Sequence, residues 1–327
     1  MANAYTATAD VAGFLPNYYD KVFLERLQPE PIAMQYCVKK PLPGNSGKVA
    51  YFPRMVVSST TPSAYKLTEG TVISTEKIDD AQVSATVEQY GNAKALWDLT
   101  ELTAINGTVE ETVREIGDQA KNIIDGRILQ EAYGTSASPT GAGFSGFAFD
   151  TALATEALAQ SAAWGGLNKT TYRMTAATLR AAAMKLRGLN VAPLEDGFYA
   201  LICHSDSAMI LQSDSSWQTA YQYTDPENLR KGIAGTYAGV KVQIDNNIFT
   251  SANGSLGATV YNSVLLGRGA MGVTELDGGV KTYTKKSGDQ DTSNPINQFI
   301  SFGWKINFVP KRLNVKCGLL IYTCDAA

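Results

Sequence analysis

Residues 47–98 form a long, polar, turn-rich excursion that runs directly into one long helix, and few folds accommodate both. The outgoing arm is Lys48-Val-Ala-Tyr-Phe-Pro-Arg-Met-Val-Val57, and the returning arm is Gln82-Val-Ser-Ala-Thr-Val-Glu-Gln-Tyr90. In the returning arm Val83, Ala85 and Val87 alternate with Gln82, Ser84, Thr86 and Glu88, the period-two pattern of a half-buried strand. Residues 58–80 between the arms are dominated by Ser, Thr, Glu, Lys and Asp. A lone two-stranded hairpin is marginal in water. A hairpin this long and polar therefore points to a surface completed by another molecule, the alternative being a hairpin folded back on its own domain.

The helix that follows is predicted over residues 109–132. Val109, Val113, Ile116, Ala120, Ile123, Ile124 and Ile128 recur at three- and four-residue steps and make one apolar face. Thr108 with Glu111 fits a capping box, and Gly134 is a natural stop. Such a helix is roughly 36 Å long. Near the end of the chain, Ile300, Phe302, Trp304, Ile306 and Phe308 alternate with Ser301, Gly303, Lys305 and Asn307. That strand spans about 30 Å, so helix and strand match in length and together predict an elongated platform.

Between them lies a different pattern. A Gly/Ser loop covers 135–146, and a helix is predicted over 175–189. Phe198-Tyr-Ala-Leu-Ile-Cys203 is a continuous apolar run that suits a strand buried on both faces. A short helix holding Met209, Ile210 and Leu211 follows, and Gly318–Tyr322 is a last strand. This alternation describes an α/β unit from about 173 to 270. At the other end, residues 1–46 read as an extended arm with a short helix over 17–28, closed by Pro29, Pro31, Pro41 and Pro43.

Composition narrows the function classes. The chain has 327 residues, enough for two domains or one large one. Charged residues are only 18%, which suits a surface largely buried between subunits. The net charge is −3 and no Lys/Arg run exceeds two residues, so the basic stripe of a protein that grips nucleic acid through many phosphates is absent. No run approaches the ~18 apolar residues of a membrane span. The N-terminus lacks the pattern of a signal peptide. Four cysteines show neither a disulfide framework nor metal spacing, which points to synthesis in a reducing cytoplasm.

Chemistry is hard to find. His204 is the one histidine and follows Cys203 directly. Neighbours on a strand point to opposite faces, so these two make no thiolate–imidazole pair there. Gly267-Arg-Gly-Ala-Met-Gly272 spells G-x-G-x-x-G after an apolar strand, but the residues after it have no helical face. A dinucleotide site needs a helix to start there, so a plain turn is favoured. Gly44-Asn-Ser-Gly-Lys48 is two residues short of a phosphate loop. No catalytic, cofactor-binding or metal-binding residue is assigned.

The order of parts resembles tailed-phage major capsid proteins with the Hong Kong 97 (Johnson) fold. Tyr18-Tyr-Asp-Lys-Val-Phe-Leu-Glu-Arg-Leu27, followed by Gly44-Asn-Ser-Gly-Lys-Val-Ala-Tyr-Phe-Pro-Arg54, looks like the start of the capsid family typified by the coliphage N-four major capsid protein. Leu67-Thr-Glu-Gly70 resembles its hairpin-tip motif, and Glu88-Gln-Tyr-Gly91 to Asp98 its entry to the long helix. Gly232-Ile-Ala-Gly-Thr-Tyr-Ala-Gly-Val-Lys-Val242 resembles its Gly-rich turn and strand. The resemblance covers essentially the whole chain and rests on the order of these stretches.

The resemblance implies an α+β fold: an N-terminal arm (1–46), an extended β-hairpin loop (47–97), a peripheral domain (98–172 and 274–314, spine helix 109–132), an α/β axial domain (173–273), and a final axial strand and C-terminus (315–327). It implies a structural protein, not an enzyme, that self-assembles in hexamers and pentamers into an icosahedral shell around double-stranded DNA. The implied partners are a portal protein and a separate scaffolding protein, with a decoration protein left open by the sequence, and with no membrane and no cofactor. Synthesis would be in the host bacterial cytoplasm, and the final location the virion. Inter-subunit contacts are expected at Phe14, Tyr18, Tyr19 and Phe23 of the arm, and at Tyr65, Lys66, Leu67 and Glu69 near the loop tip. An encapsulin-type nanocompartment shell is the alternative with the same fold. A nucleotide-dependent enzyme built on Gly267–Gly272 is the alternative of another class.

Overall fold

In a computed structural model of the chain, the alternating segment near the C-terminus lies at the centre of a sheet. The structure describes residues 31–45, 47–55, 66–67, 69, 80–103, 108–134, 143–149, 156–158, 167–224, 235–252, 254–276, 278–285 and 298–325. Its strands, in chain order, are β1 (Val38–Lys39), β2 (Val49–Met55), β3 (Asp80–Thr86), β4 (Glu88–Trp97), β5 (Ser145–Phe149), β6 (Glu156–Leu158), β7 (Tyr199–Cys203), β8 (Thr236–Tyr237), β9 (Val240–Ile244), β10 (Thr250–Ser251), β11 (Val260–Leu266), β12 (Met271–Glu275), β13 (Lys281–Lys285), β14 (Phe299–Arg312) and β15 (Gly318–Cys324).

Strand β14 organises the first sheet. It pairs antiparallel with β4 on one side, from Phe299↔Trp97 to Phe308↔Glu88. On the other side it pairs with β13 and then β12, while β1 adds to β12 in parallel. Ile300, Phe302, Trp304, Ile306 and Phe308 are all buried, as the alternation predicts. They face the long helix Thr108–Tyr133, whose Val113, Ile116, Ala120, Ile124 and Ile128 share one core with them. The sequence stripe is thus the observed buried face, extended at its end by Leu129, Ala132 and Tyr133.

The second sheet runs β6-β5-β15-β11-β7-β9-β8, with β10 beside β11. Its central strands β7, β11 and β15 are buried along their whole length. The reason is that they separate two cores. Ile202, Val264, Leu320 and Tyr322 face the core of the long helix. Leu201, Leu265, Leu319 and Ile321 face a second core with Leu179, Ala183 and Leu186 of the helix Ala176–Gly188. This is why Tyr199–Cys203 reads as an unbroken apolar run rather than an alternating one.

Three segments sit differently from their places in the sequence reading. Residues 88–97, read as the end of the extended loop, form the ten-residue β4 of the first sheet. Residues 145–149 extend past the Gly/Ser loop as β5 and lie parallel to β15 in the second sheet. Residues 271–273, read with the axial domain, begin β12 and pair with β14. In each case the pairing partner is more than thirty residues away, so no local pattern shows it. The short helix read over 17–28 lies outside the described residues.

Candidate assembly surfaces

The long helix and β4 are tied together by polar contacts on the side where both meet solvent. Asn92 donates Nδ2 to Oε1 of Gln119 at 2.8 Å, and Lys94 pairs with Glu115. Farther along, the Nε of Arg127 donates to the Tyr90 hydroxyl at 2.8 Å, and Tyr90 donates to Glu88. The Tyr90 bond holds the Glu88 carboxyl below its ordinary range, with Arg127 adding to it. Two strand residues advance about 6.6 Å and four helix residues about 6 Å. Strand and helix therefore stay in step from Asn92–Gln119 to Lys94–Glu115.

The opposite face of this sheet carries Gly91, Ala93 and Ala95 from β4 and Ser301 and Gly303 from β14, a run of small side chains. Close strand packing requires Gly91 and leaves little room at Gly303. A Cβ on Gly91 would lie 2.6 Å from the Trp304 carbonyl oxygen, and one on Gly303 would lie 3.2 Å from the Ala93 Cβ. Exposed aromatic residues rim this shelf. Trp97, 55% exposed, meets Phe299 edge-on at 5.9 Å, and Tyr283 lies under Lys305. Leu99 on the adjoining helix Asp98–Thr103 is exposed as well.

The hairpin base pairs β2 with β3 from Val49↔Thr86 to Met55↔Asp80. Ala50, Phe52 and Ala85 on its inner face form a small core with Val309 at the end of β14. Its outer face shows Tyr51, Pro53, Gln82, Ser84 and Thr86. The base therefore folds onto its own subunit, which answers for this part the alternative left open by the sequence. Of the expected contact residues near the tip, Lys66, Leu67 and Glu69 are exposed, Leu67 by 69%. Tyr65 lies outside the described residues, as do Phe14, Tyr18, Tyr19 and Phe23 of the arm.

The root of the arm is held by a residue that the sequence reading missed. The 3-10 turn Ala33–Tyr36 has no side-chain cap of its own at Ile32. Its free N–H groups are taken by Asp125 on the long helix: Oδ2 accepts from Ile32 N–H at 3.0 Å and Oδ1 from Ala33 N–H at 2.9 Å. The signal in the sequence is an aspartate between stripe residues Ile124 and Ile128, on the edge of an apolar face.

The residues tested for chemistry occupy structural places. Cys203 is buried, and burial pushes its thiol up to about 12. His204 stacks on Tyr261 at 4.6 Å, and its Nδ1 accepts the Asp206 N–H at the start of the helix Ser205–Gln212. Gly267 to Ala270 turn directly into β12. A strand presents no helix N-terminus to a pyrophosphate, so the dinucleotide alternative lacks the element it needs. Among the described residues no group of three or more His, Cys, Asp or Glu is placed to hold a metal ion. No helix of the described residues is long and apolar enough to cross a membrane.

No protein-family model matches the chain, and no curated protein matches it in sequence. Solved structures do resemble it. A chain of the cyanophage Pam1 capsid asymmetric unit aligns over 92% of both chains with TM-score 0.66 and 14% identity. The capsid of Ralstonia phage GP4 aligns over 89% of this chain and 88% of that one, with TM-score 0.60 and 13% identity. The capsid of cyanophage P-SCSP1u aligns over 89% and 87%, with TM-score 0.58 and 13% identity. At this level of identity the likeness establishes the architecture, and over nearly its whole length this polypeptide has the fold of these phage capsid chains.

Proposed function

We propose that this chain is the major capsid protein of a tailed bacteriophage, which self-assembles into an icosahedral head shell around double-stranded DNA. The observation that carries this is the agreement in fold with phage capsid chains over most of their length, 92% of each chain in the case of Pam1. The fold is shared over most of both chains, as expected if the chain does the same structural work. The reading includes no catalytic cycle; the mechanism is closed, symmetric self-association through hexamers and pentamers.

Several features support it. The five-stranded sheet offers a shelf of small residues rimmed by Trp97, Phe299 and Tyr283. Exposed aromatic residues of this kind are characteristic of contact surfaces. The arm (1–46) and the loop beyond the hairpin base would reach onto neighbouring subunits, with Phe14, Tyr18, Tyr19, Phe23, Tyr65, Lys66, Leu67 and Glu69 as contact residues. A net charge of −3 lets the shell enclose DNA without gripping it. A portal protein and a scaffolding protein are the partners of this reading, and a decoration protein is compatible with it. Synthesis takes place in the host cytoplasm and the finished location is the virion.

Electron microscopy of the purified protein tests the proposal. Closed shells of uniform diameter are expected. A stable monomer at high concentration, with and without coexpressed scaffold, would overturn it.

A further inference from the structure

The register of β13 on β14 gathers three lysines on one face of the first sheet. Lys281 is paired directly with Lys305, and Lys285 with Ser301. Thr282 and Thr284 pair with Trp304 and Phe302, which are buried against the long helix. Alternation therefore puts Lys281, Tyr283, Lys285 and Lys305 on the opposite, outer side. Tyr283 stands between Lys281 and Lys285 and is 51% exposed, with the Lys305 Nζ 5.3 Å from the centre of its ring. At the far end of the same face Trp97 and Phe299 are paired and meet edge to face.

No outward residue of β4, β13 or β14 along this face is acidic. The carboxylates of β4 and the long helix lie on the other side, Glu115 with Lys94 and Glu88 with Arg127. The whole chain has 28 Lys and Arg against 31 Asp and Glu, so a face with three lysines and no carboxylate stands apart from the rest of the molecule. Gly303 lies directly opposite Tyr283, and Ala93 opposite Gly303. The tyrosine ring therefore has no tall neighbour across the sheet. The face is bounded at one end by the Gln89–Asn307 hydrogen bond, 3.0 Å, beyond which the hairpin base covers Val309.

We infer that this face of the free subunit binds single-stranded nucleic acid, with Lys281, Lys285 and Lys305 on phosphates and Tyr283 stacked on a base. Ammonium groups attract any polyanion, and the exposed ring decides between them. A sheet face that sets aromatic rings among basic residues holds unpaired bases by stacking. A duplex keeps its base faces inside the stack, and an acidic peptide engages the lysines but leaves the ring idle. Lys281 and Lys285 are about 13 Å apart along β13, so the contact covers a few nucleotides. Three phosphates give a salt slope of about −2 on log–log axes, a weak contact in keeping with a chain that has no long basic stripe. The inference goes beyond the assembly reading and does not depend on it. A neighbour seated on this face in a closed shell would exclude the strand, so the site belongs to the subunit before assembly.

Fluorescence anisotropy tests it, with full-length subunits separated from shells by size exclusion and a labelled oligothymidylate of about twelve nucleotides. Binding is expected at low salt and should weaken with a slope of about −2 as salt rises. Lys281→Ala combined with Lys305→Ala should bring the slope to about −0.7. Tyr283→Ala should weaken binding on the order of tenfold and leave the slope unchanged. Lys241→Ala, on β9 of the other sheet, should bind as the wild type does. The substituted side chains are on the surface, and an unchanged melting transition confirms that each variant folds. No binding at low salt, no effect of Tyr283→Ala, or equal weakening by Lys241→Ala would each overturn the site. Displacement of the oligonucleotide by polyglutamate of equal charge as readily as by unlabelled oligothymidylate would also overturn it, and would assign the face to an acidic protein partner. The assembly reading is judged by microscopy and survives any of these results.

Discussion

Oδ1 of Asp125 accepts the Ala33 N–H at 2.9 Å across a separation of 92 residues, so a side chain on the long helix caps a turn at the root of the arm. Removing it leaves two buried donors without partners. Each such loss costs about 1–3 kcal/mol. Asp125→Ala should lower stability by roughly 2–4 kcal/mol, read as a shift in the urea midpoint at constant m. A shift near zero would mean that water reaches these N–H groups.

Ile116 lies mid-stripe on the long helix and is 2% exposed. Ile116→Asp places an unpaired carboxylate in the core it shares with β14, a cost of several kcal/mol. The variant should be insoluble. Phe308→Ala, in the same core and beside Tyr90 at 5.2 Å, should fold with a loss of about 3–5 kcal/mol. Soluble, normally assembled Ile116→Asp would show that the helix face is wrongly assigned.

Gly126 sits inside the long helix, and a Cβ built there meets nothing within 4 Å. No packing constraint in the subunit requires glycine. Gly126→Ala should stabilise by about 0.5–1 kcal/mol, seen as a higher melting temperature. A loss of stability only in assembled particles would instead place a neighbouring subunit against this residue.

The extended loop should be completed by a neighbour. Its base has a small core of its own, but a lone hairpin beyond that base is marginal. Amide exchange over residues 58–80 should be fast in free subunits and slow in shells. Equal protection in the two states would return the loop to its own subunit.

Deletion of residues 1–28 should leave a folded subunit that does not close shells. The cut spares Ile32 and Ala33, so the cap from Asp125 survives. The segment removed carries Phe14, Leu15, Tyr18, Tyr19, Phe23 and Leu24. Each is worth roughly 1.5–3 kcal/mol when fully buried. Circular dichroism should show a near-native melting transition while microscopy shows capsomers or aberrant particles. Wild-type shells from the truncated chain would remove the arm from the inter-subunit contacts.

Local periodicity by itself determined the long helix, its buried face, the alternating strand β14 and the unbroken apolar strand β7. These follow from one physical fact, that a side chain's direction repeats every 3.6 residues on a helix and every two on a strand. The sequence was also enough to set aside Gly267–Gly272, because the residues after the glycines could not begin a helix. Tertiary structure decided the rest. That β4 belongs with β14, that β5 lies beside β15, and that Asp125 caps Ala33 are pairings between distant segments. Backbone hydrogen bonds carry no residue-specific label, so a strand's own letters do not say which partner it takes. The lone aspartate beside Ile124 hinted at a buried carboxylate, but only the folded chain shows which donors it satisfies.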